Sequence, residues 1–270
     1  MIPNKTIIVG GGSSIRQNMW DTPISDLLLW SKIKNEFTIG TNWSYKYFNS
    51  TILMYNDYQF YGTEKENLQN IPLILGKEDG SYQRKDGIKH DNNVILLKEC
   101  QSIKKRKYNE CEESMHPHYW RKQAWEKGFY SSQLIGLKAL NLAIALDCDE
   151  IYLLGNDACD INGHTHFYDD TNVGHYMWNG QKYSGVGKND RGLYNTGTYN
   201  KIDELNNFWF KPYEEELQKG IKIFNVSLNS KIDIFPKISY EEFYNKLSIN
   251  KQETNHHQIR DFLRKKLNEH

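Results

Sequence analysis

The chain is poor in cysteine, carries no surplus of charge of either sign, and has no long apolar run. Its four cysteines are scattered, without the short spacing of metal ligands or the density of a disulfide framework, which favours a reducing compartment. They are Cys100, Cys111, Cys148 and Cys159. The formal net charge is zero, with 34 basic and 34 acidic residues. Because phosphate contacts call for a basic surplus, duplex nucleic acid is a disfavoured partner.

The apolar runs are too short to span a bilayer, and residues 1–12 lack the basic start and apolar stretch of a secretory leader. We therefore expect a cytoplasmic protein with no membrane partner. The length of 270 residues and the hydrophobic content of 38% suffice for a large core. No internal repeat or low-complexity linker divides the chain, so we expect one domain over 1–270, either alone or in a homo-oligomer.

A glycine-rich turn follows the first predicted strand. Residues 5–9 form a short apolar strand that continues into Gly10, Gly11, Gly12 and Ser13. Consecutive glycines at the end of a strand let backbone N–H groups approach an anion, typically a phosphate. The turn matches neither the dinucleotide fingerprint nor the P-loop, because it lacks the later glycine of the one and the Lys-Ser/Thr of the other. It therefore indicates an anion site without naming the nucleotide.

A helix–strand unit further along the chain ends in a carboxylate. Small and apolar residues repeat at helical spacing over 134–146, and the buried strand that follows ends at Gly155, Asn156 and Asp157. A helix that feeds a fully apolar strand is typical of a parallel sheet, whose ligands bind beyond the carboxyl ends of the strands. Asp157 stands at such an end, either as a functional carboxylate or as a residue that caps the turn.

The remaining elements complete an α/β pattern. Predicted strands at 36–40 and 51–55 are closely followed by Asn42 and Asn56, which places amide side chains at one edge of the sheet. We predict a Rossmann-like, mostly parallel sheet with helices on both faces. Further strands are predicted at 71–75, 94–97 and 221–226, helices at 27–33, 202–219, 240–247 and 256–267, and an irregular segment at 100–128. Residues 171–199, rich in Gly, Asn, Tyr and Trp without periodicity, are predicted to form an inserted lid.

Titratable side chains are densest between residues 157 and 175. The cluster consists of His164, His166, His175, Asp157, Asp160, Asp169 and Asp170. One interpretation is a divalent metal site. A second is a histidine that acts as a general base or donates a hydrogen bond to a leaving phosphate. A third is a polar surface loop with incidental histidines.

Three segments, in order over most of the first 170 residues, carry a resemblance to a known family. They are the strand and glycine turn of residues 7–15, Asn42 and Asn56 after the second and third strands, and Ser132 followed by the helix and strand that end at Asp157. They resemble the opening strand and turn, the two nucleotide-contacting asparagines, and the serine-bearing turn, helix and strand of one enzyme group. That group is the bacterial sialyltransferases that use CMP-sialic acid, together with related phage and bacterial proteins.

The resemblance implies a glycosyltransferase that takes a sugar from a nucleotide sugar, with CMP as the favoured nucleotide and no permanently bound cofactor. It implies that the donor nucleotide contacts Gly10, Gly11, Gly12, Ser13, Asn42, Asn56 and Ser132. The acceptor would be a glycan or a DNA base. Residues 163–167 are similar to a segment of many phage proteins, which indicates a viral origin.

Under this hypothesis the catalytic residues are His175, His166 and Asp157, with no metal. One histidine would remove the proton of the acceptor, and the other would stabilise charge on the leaving phosphate together with Tyr168 or Tyr194. Asp157 would orient one of the histidines or hold the acceptor.

The chain also departs from the family pattern. Gly11 stands where the family has asparagine, and residues 195–200 contain no histidine where the family has its catalytic one. A more distant resemblance, through the glycine turn and the Gly-x-Asp strand, is to the 6-hydroxymethylpterin pyrophosphokinase-like domains. Those transfer diphosphate from ATP and need a metal, for which Asp157, Asp160 and His164 are candidates. A non-catalytic nucleotide-binding module is the third alternative.

Overall fold

The structure is a computed structural model that describes most of the chain in separate ranges. They are 3–56, 58–77, 91–98, 122–129, 135–159, 161, 164, 166–168, 175–178, 181–184, 213–249 and 254–268. Within these ranges only the backbone is described at 58–59, 77, 122–123, 127, 175–178, 181–184, 215 and 248–249.

The residues in these ranges form nine strands and seven α-helices. The strands are β1 (Lys5–Val9), β2 (Thr38–Thr41), β3 (Ile52–Met54), β4 (Ile74–Lys77), β5 (Val94–Leu97), β6 (Glu150–Leu154), β7 (His175–Trp178), β8 (Gln181–Ser184) and β9 (Lys222–Asn225). The helices are α1 (Leu28–Ile33), α2 (Tyr58–Leu68), α3 (Lys122–Lys127), α4 (Ile135–Ala145), α5 (Glu214–Gln218), α6 (Tyr240–Ile249) and α7 (His256–Asn268). None of these helices combines the length and the apolar character that a membrane span requires.

Seven strands form one sheet in the order β5-β4-β3-β2-β1-β6-β9, and every pair in it is parallel. From β1 the chain adds β2 to β5 on one side and then β6 and β9 on the other. The direction of winding therefore changes between β1 and β6, where Val9 is paired with Leu154. At such a switch point a crevice opens beyond the carboxyl ends of the strands, which is where ligands bind in open parallel sheets.

Apolar side chains cover both faces of this sheet. On one face, side chains of α1, α2 and α6 pack with strand residues such as Val9 and Leu154. On the other face, side chains of α3, α4 and α7 pack with the alternate strand residues, such as Ile8 and Leu153. The alternation follows from strand geometry, in which successive side chains point to opposite faces. The prediction of a Rossmann-like parallel sheet with helices on both faces is confirmed.

Helix α7 lies at the end of the sheet opposite to the crevice. The Arg260 guanidinium donates through Nε to the Thr51 carbonyl oxygen at 2.7 Å, directly before β3 begins. Ile259 and Leu263, one helical turn apart, are buried in the core. The terminal helix therefore supports the amino ends of the strands and takes no part in the crevice.

The structure differs from the sequence prediction in three places. Helix α2 was not predicted, because Gly62 interrupts a stretch in which polar and aromatic residues mix without a clear helical stripe. The segment predicted as irregular at 100–128 contains α3, held by tertiary packing: Trp125 is buried and its Nε1–H donates to the Ala145 carbonyl oxygen at 2.9 Å. Within the predicted lid, β7 and β8 form an antiparallel hairpin whose first strand lies against α2. The rest of 171–199 lies outside the described residues, as do residues 202–212 of the helix predicted at 202–219.

Candidate functional site

The glycine turn after β1 is fastened to the end of β6. The Gly10 N–H donates to the Leu154 carbonyl oxygen and the Gly12 N–H to the Gly155 carbonyl oxygen, each at 2.7 Å. Two of the glycine amides expected to hold an anion are thus bonded within the protein. Among the described residues no backbone carbonyl accepts from the Gly11 N–H, and Gly11 stays a predicted contact of the anion.

Asp157 lies directly beneath this turn. Its side chain is buried, and its Oδ2 accepts a hydrogen bond from the Ser14 backbone N–H at 2.9 Å. A Cβ added to Gly12 would lie 2.3 Å from the same oxygen, so only glycine allows the carboxylate so close. The arrangement lets Asp157 fix the turn, and its predicted role toward a histidine or an acceptor stays a prediction.

Burial removes the carboxyl group of Asp157 from water, which disfavours its charged form. Burial raises the pKa of Asp157 above its ordinary value, and the hydrogen bonds with Ser14 offset only part of this effect. The other carboxyl oxygen, Oδ1, is buried and makes no hydrogen bond within the described part of the chain. A charged Asp157 therefore opposes folding more than a neutral group of the same shape would.

Replacement of Asp157 by asparagine is expected to stabilise the fold at high pH and to do so less at low pH. The pKa of Asp157 is raised in the folded state, so its favourable contribution is complete below the unfolded pKa and is lost as pH rises through the folded pKa. Asparagine stays neutral and still accepts from Ser14. The check is the difference in melting temperature between Asp157→Asn and wild type from pH 4 to pH 8.5. The control is Asp233→Asn, at a carboxylate whose side chain is 65% exposed. A difference in melting temperature for Asp157→Asn that does not grow with pH would contradict the prediction.

His166 and Tyr168 cover Gly11. A Cβ on Gly11 would lie 3.0 Å from His166 Cδ2 and 3.0 Å from the Tyr168 hydroxyl oxygen. The two rings stack with their centroids 5.1 Å apart, and the Phe167 N–H donates to the Gly11 carbonyl oxygen at 3.0 Å. The space that an asparagine side chain would take at position 11 is therefore bordered by an imidazole and a phenol.

Arg16 holds the segment that carries these rings. The side chain is 1% exposed, and its Nε donates to the Phe167 carbonyl oxygen at 2.7 Å. Its guanidinium carbon lies 4.9 Å from the centre of the Trp20 ring, and His164 stacks on that ring at 3.6 Å. The structure thus separates the two histidines: His166 faces the glycine turn, whereas His164 belongs to the Arg16–Trp20 stack.

Asn42 and Asn56 follow the carboxyl ends of β2 and β3, the next two strands after β1 on one side of the switch point. Asn42 has a φ of +46°, a left-handed conformation that is uncommon for a residue with a side chain. Its Oδ1 is buried without a hydrogen bond to any described residue. Strained backbone and an orphaned buried acceptor together are typical of ligand sites.

Other predicted site residues lie outside the described part. They are Ser132, Asp160, Asp169, Asp170 and Tyr194. His175 lies in β7, of which the backbone alone is described. Within the described ranges no group of three or more His, Cys, Asp or Glu side chains is arranged to hold a metal ion. Asp157 and His164, two of the three candidates for a metal site, face different partners.

No protein-family model matches the chain, and no curated protein matches it in sequence. Among the solved structures similar to it are those of the sialyltransferase CstII from Campylobacter jejuni. The complex with the substrate analogue cytidine-5′-monophosphate is 20% identical, with a TM-score of 0.43 over 87% of this chain and 84% of that one. The complex with CMP-3FNeuAc is 19% identical, with a TM-score of 0.41 over 91% of this chain and 99% of that one. At these values the likeness extends no further than the fold.

Proposed function

We propose that this protein is a glycosyltransferase that moves a sugar, of the sialic acid type or a related one, from a CMP-linked donor to a glycan or DNA-base acceptor. The observation that carries the proposal is the His166–Tyr168 pair stacked over Gly11 at the switch point of the sheet. A phosphate on the Gly11 amide would meet an imidazole and a phenolic hydroxyl, two groups that can stabilise a leaving phosphate. Asn42 and Asn56, at the next two strand ends, would hold the ribose or the edge of the base.

The reaction would be an inverting displacement. An acceptor oxygen or nitrogen attacks the anomeric carbon of the donor while the bond from that carbon to the phosphate oxygen breaks. The electron pair of that bond leaves with CMP, whose new negative charge His166 and Tyr168 stabilise. The acceptor proton passes to a general base, for which His175 in β7 is our candidate, since an imidazole exchanges protons near neutral pH. No step is assigned to a metal.

Calorimetric titration with CMP, UDP, ADP and Mg²⁺-ATP tests the proposal. We expect CMP and CMP-linked sugars to bind with Kd values of about 1 μM to 1 mM, the usual range for an enzyme substrate, and the other nucleotides to bind more weakly. Binding of Mg²⁺-ATP alone would replace the proposal with pyrophosphoryl transfer. Absence of binding by any of these nucleotides would remove it.

A further inference from the structure

A buried carboxylate on α2 accepts hydrogen bonds from several side chains of the short helix that follows β2. Glu64 is 5% exposed, and its Oε1 accepts from Trp43 Nε1 at 3.2 Å and from Lys46 Nζ at 3.0 Å. Its Oε2 accepts from the Tyr45 hydroxyl and from Asn67 Nδ2, the latter at 3.0 Å. Three of these donors belong to one 3₁₀ helix, Asn42–Lys46, which starts where β2 ends. Glu64 therefore ties that short helix to α2.

Glu64 stays charged in this position. Burial alone would raise the pKa of its carboxyl group, but the hydrogen bonds from Tyr45, Lys46 and Asn67 outweigh this effect and hold the pKa below its ordinary value. A carboxylate that accepts several hydrogen bonds fixes its donors more firmly than a neutral acceptor does, because charge-assisted bonds are about twice as strong.

The short helix does not hold its first residue by itself. Its N-cap residue Thr41 makes no capping hydrogen bond, since the Thr41 hydroxyl donates to the Val9 carbonyl oxygen at 3.1 Å. Asn42 is nevertheless kept at a φ of +46°. This region is sparsely populated even for asparagine, which adopts it more readily than other residues with a side chain. Trp43, Tyr45 and Lys46, which follow Asn42 in the helix, are each bonded to Glu64.

We propose that Glu64 is a positioning residue of the nucleotide site, which acts by holding Asn42 in its binding conformation through the 3₁₀ helix that follows. This inference rests on the proposed function, in which Asn42 contacts the ribose or base. The sequence alone does not indicate this role of Glu64, since the residue stands among polar residues of a helix that was not predicted.

The test is CMP affinity of Glu64→Gln, measured by calorimetry well below the melting temperature. The amide keeps the shape of the side chain but turns an NH₂ group toward existing donors. We expect CMP to bind about tenfold more weakly, the effect of about one lost buried hydrogen bond. In an Asn42→Ala background the same substitution should change the affinity by less than about twofold, because the contact through which Glu64 acts is already gone.

The matched control is Glu36→Gln, which breaks a buried ion pair with Lys5 of 3.0 Å at the far end of the sheet. It should lower the melting temperature and leave CMP affinity unchanged. Unchanged CMP affinity in Glu64→Gln, or an equal loss in the Asn42→Ala background, would overturn the inference. If Glu64→Gln does not fold, Tyr45→Phe takes its place, because it removes one donor to Glu64. It should weaken CMP binding about threefold. Unchanged CMP affinity in Tyr45→Phe would also overturn the inference. Failure of the wild type to bind CMP is a separate result, which refutes the proposed function and this inference with it.

Discussion

Replacement of His166 by alanine is expected to slow the release of CMP from a CMP-linked sugar about 10²–10⁴-fold, with a change in CMP affinity of less than about tenfold. The physical reason is the position of the ring. His166 lies against Gly11 on the side where a Cβ would project, and it stacks on Tyr168. In the proposed site it therefore faces the place where negative charge would appear as the phosphate leaves. Charge stabilisation of this kind acts mainly in the transition state and lowers kcat more than binding.

Donor hydrolysis in the absence of acceptor is the measurement, because it needs the leaving-group machinery and no knowledge of the acceptor. His164→Ala is the matched control: that imidazole stacks on Trp20 away from the glycine turn and should leave the rate within about threefold. His175→Ala separates the two histidine roles, since loss of a base for the acceptor should impair transfer more than hydrolysis. Full activity of His166→Ala would contradict the leaving-group role.

Much of the fold follows from local patterns in the sequence. Residues 5–9 and 150–154 are apolar runs ended by glycine, and the parallel sheet is the arrangement that buries such strands on both faces. The position of the crevice also follows, because the glycine turn, Asn42 and Asn56 all come within two residues of the end of a strand. Strand order does not follow from these patterns. That β1 lies between β2 and β6, and so makes a switch point, is decided by packing between distant segments.

The supporting residues of the site could not be predicted for the same reason. Arg16 donates to the carbonyl oxygen of Phe167, 151 positions away, and the local sequence around neither residue indicates this contact. Glu64 and Trp43 are 21 positions apart and meet only because α2 packs beside the turn after β2. His164 and His166 also look equivalent in sequence, and only their partners in space distinguish them.

Replacement of Gly12 by alanine is expected to lower the free energy of unfolding by about 2–4 kcal/mol and to weaken CMP binding by about 100-fold or more. The new methyl group would lie 2.3 Å from Asp157 Oδ2 and 2.7 Å from the Gly155 carbonyl oxygen. Gly155 cannot move away easily, because it has a φ of +62° and lies against Ile15. The turn must therefore shift, and the bond from Ser14 to Asp157 lengthens or breaks.

Chemical denaturation and CMP titration of the same protein check both parts of this prediction. Gly220→Ala is the control, because Gly220 has a φ of +93° with no atom within 4 Å of an added Cβ. It should cost about 1–2 kcal/mol through backbone strain alone and leave CMP binding unchanged. Adding Asp157→Ala to Gly12→Ala should recover part of the lost stability, since the contact with Oδ2 disappears while that with the Gly155 carbonyl remains. Wild-type CMP affinity in Gly12→Ala would show that the nucleotide does not bind at this turn.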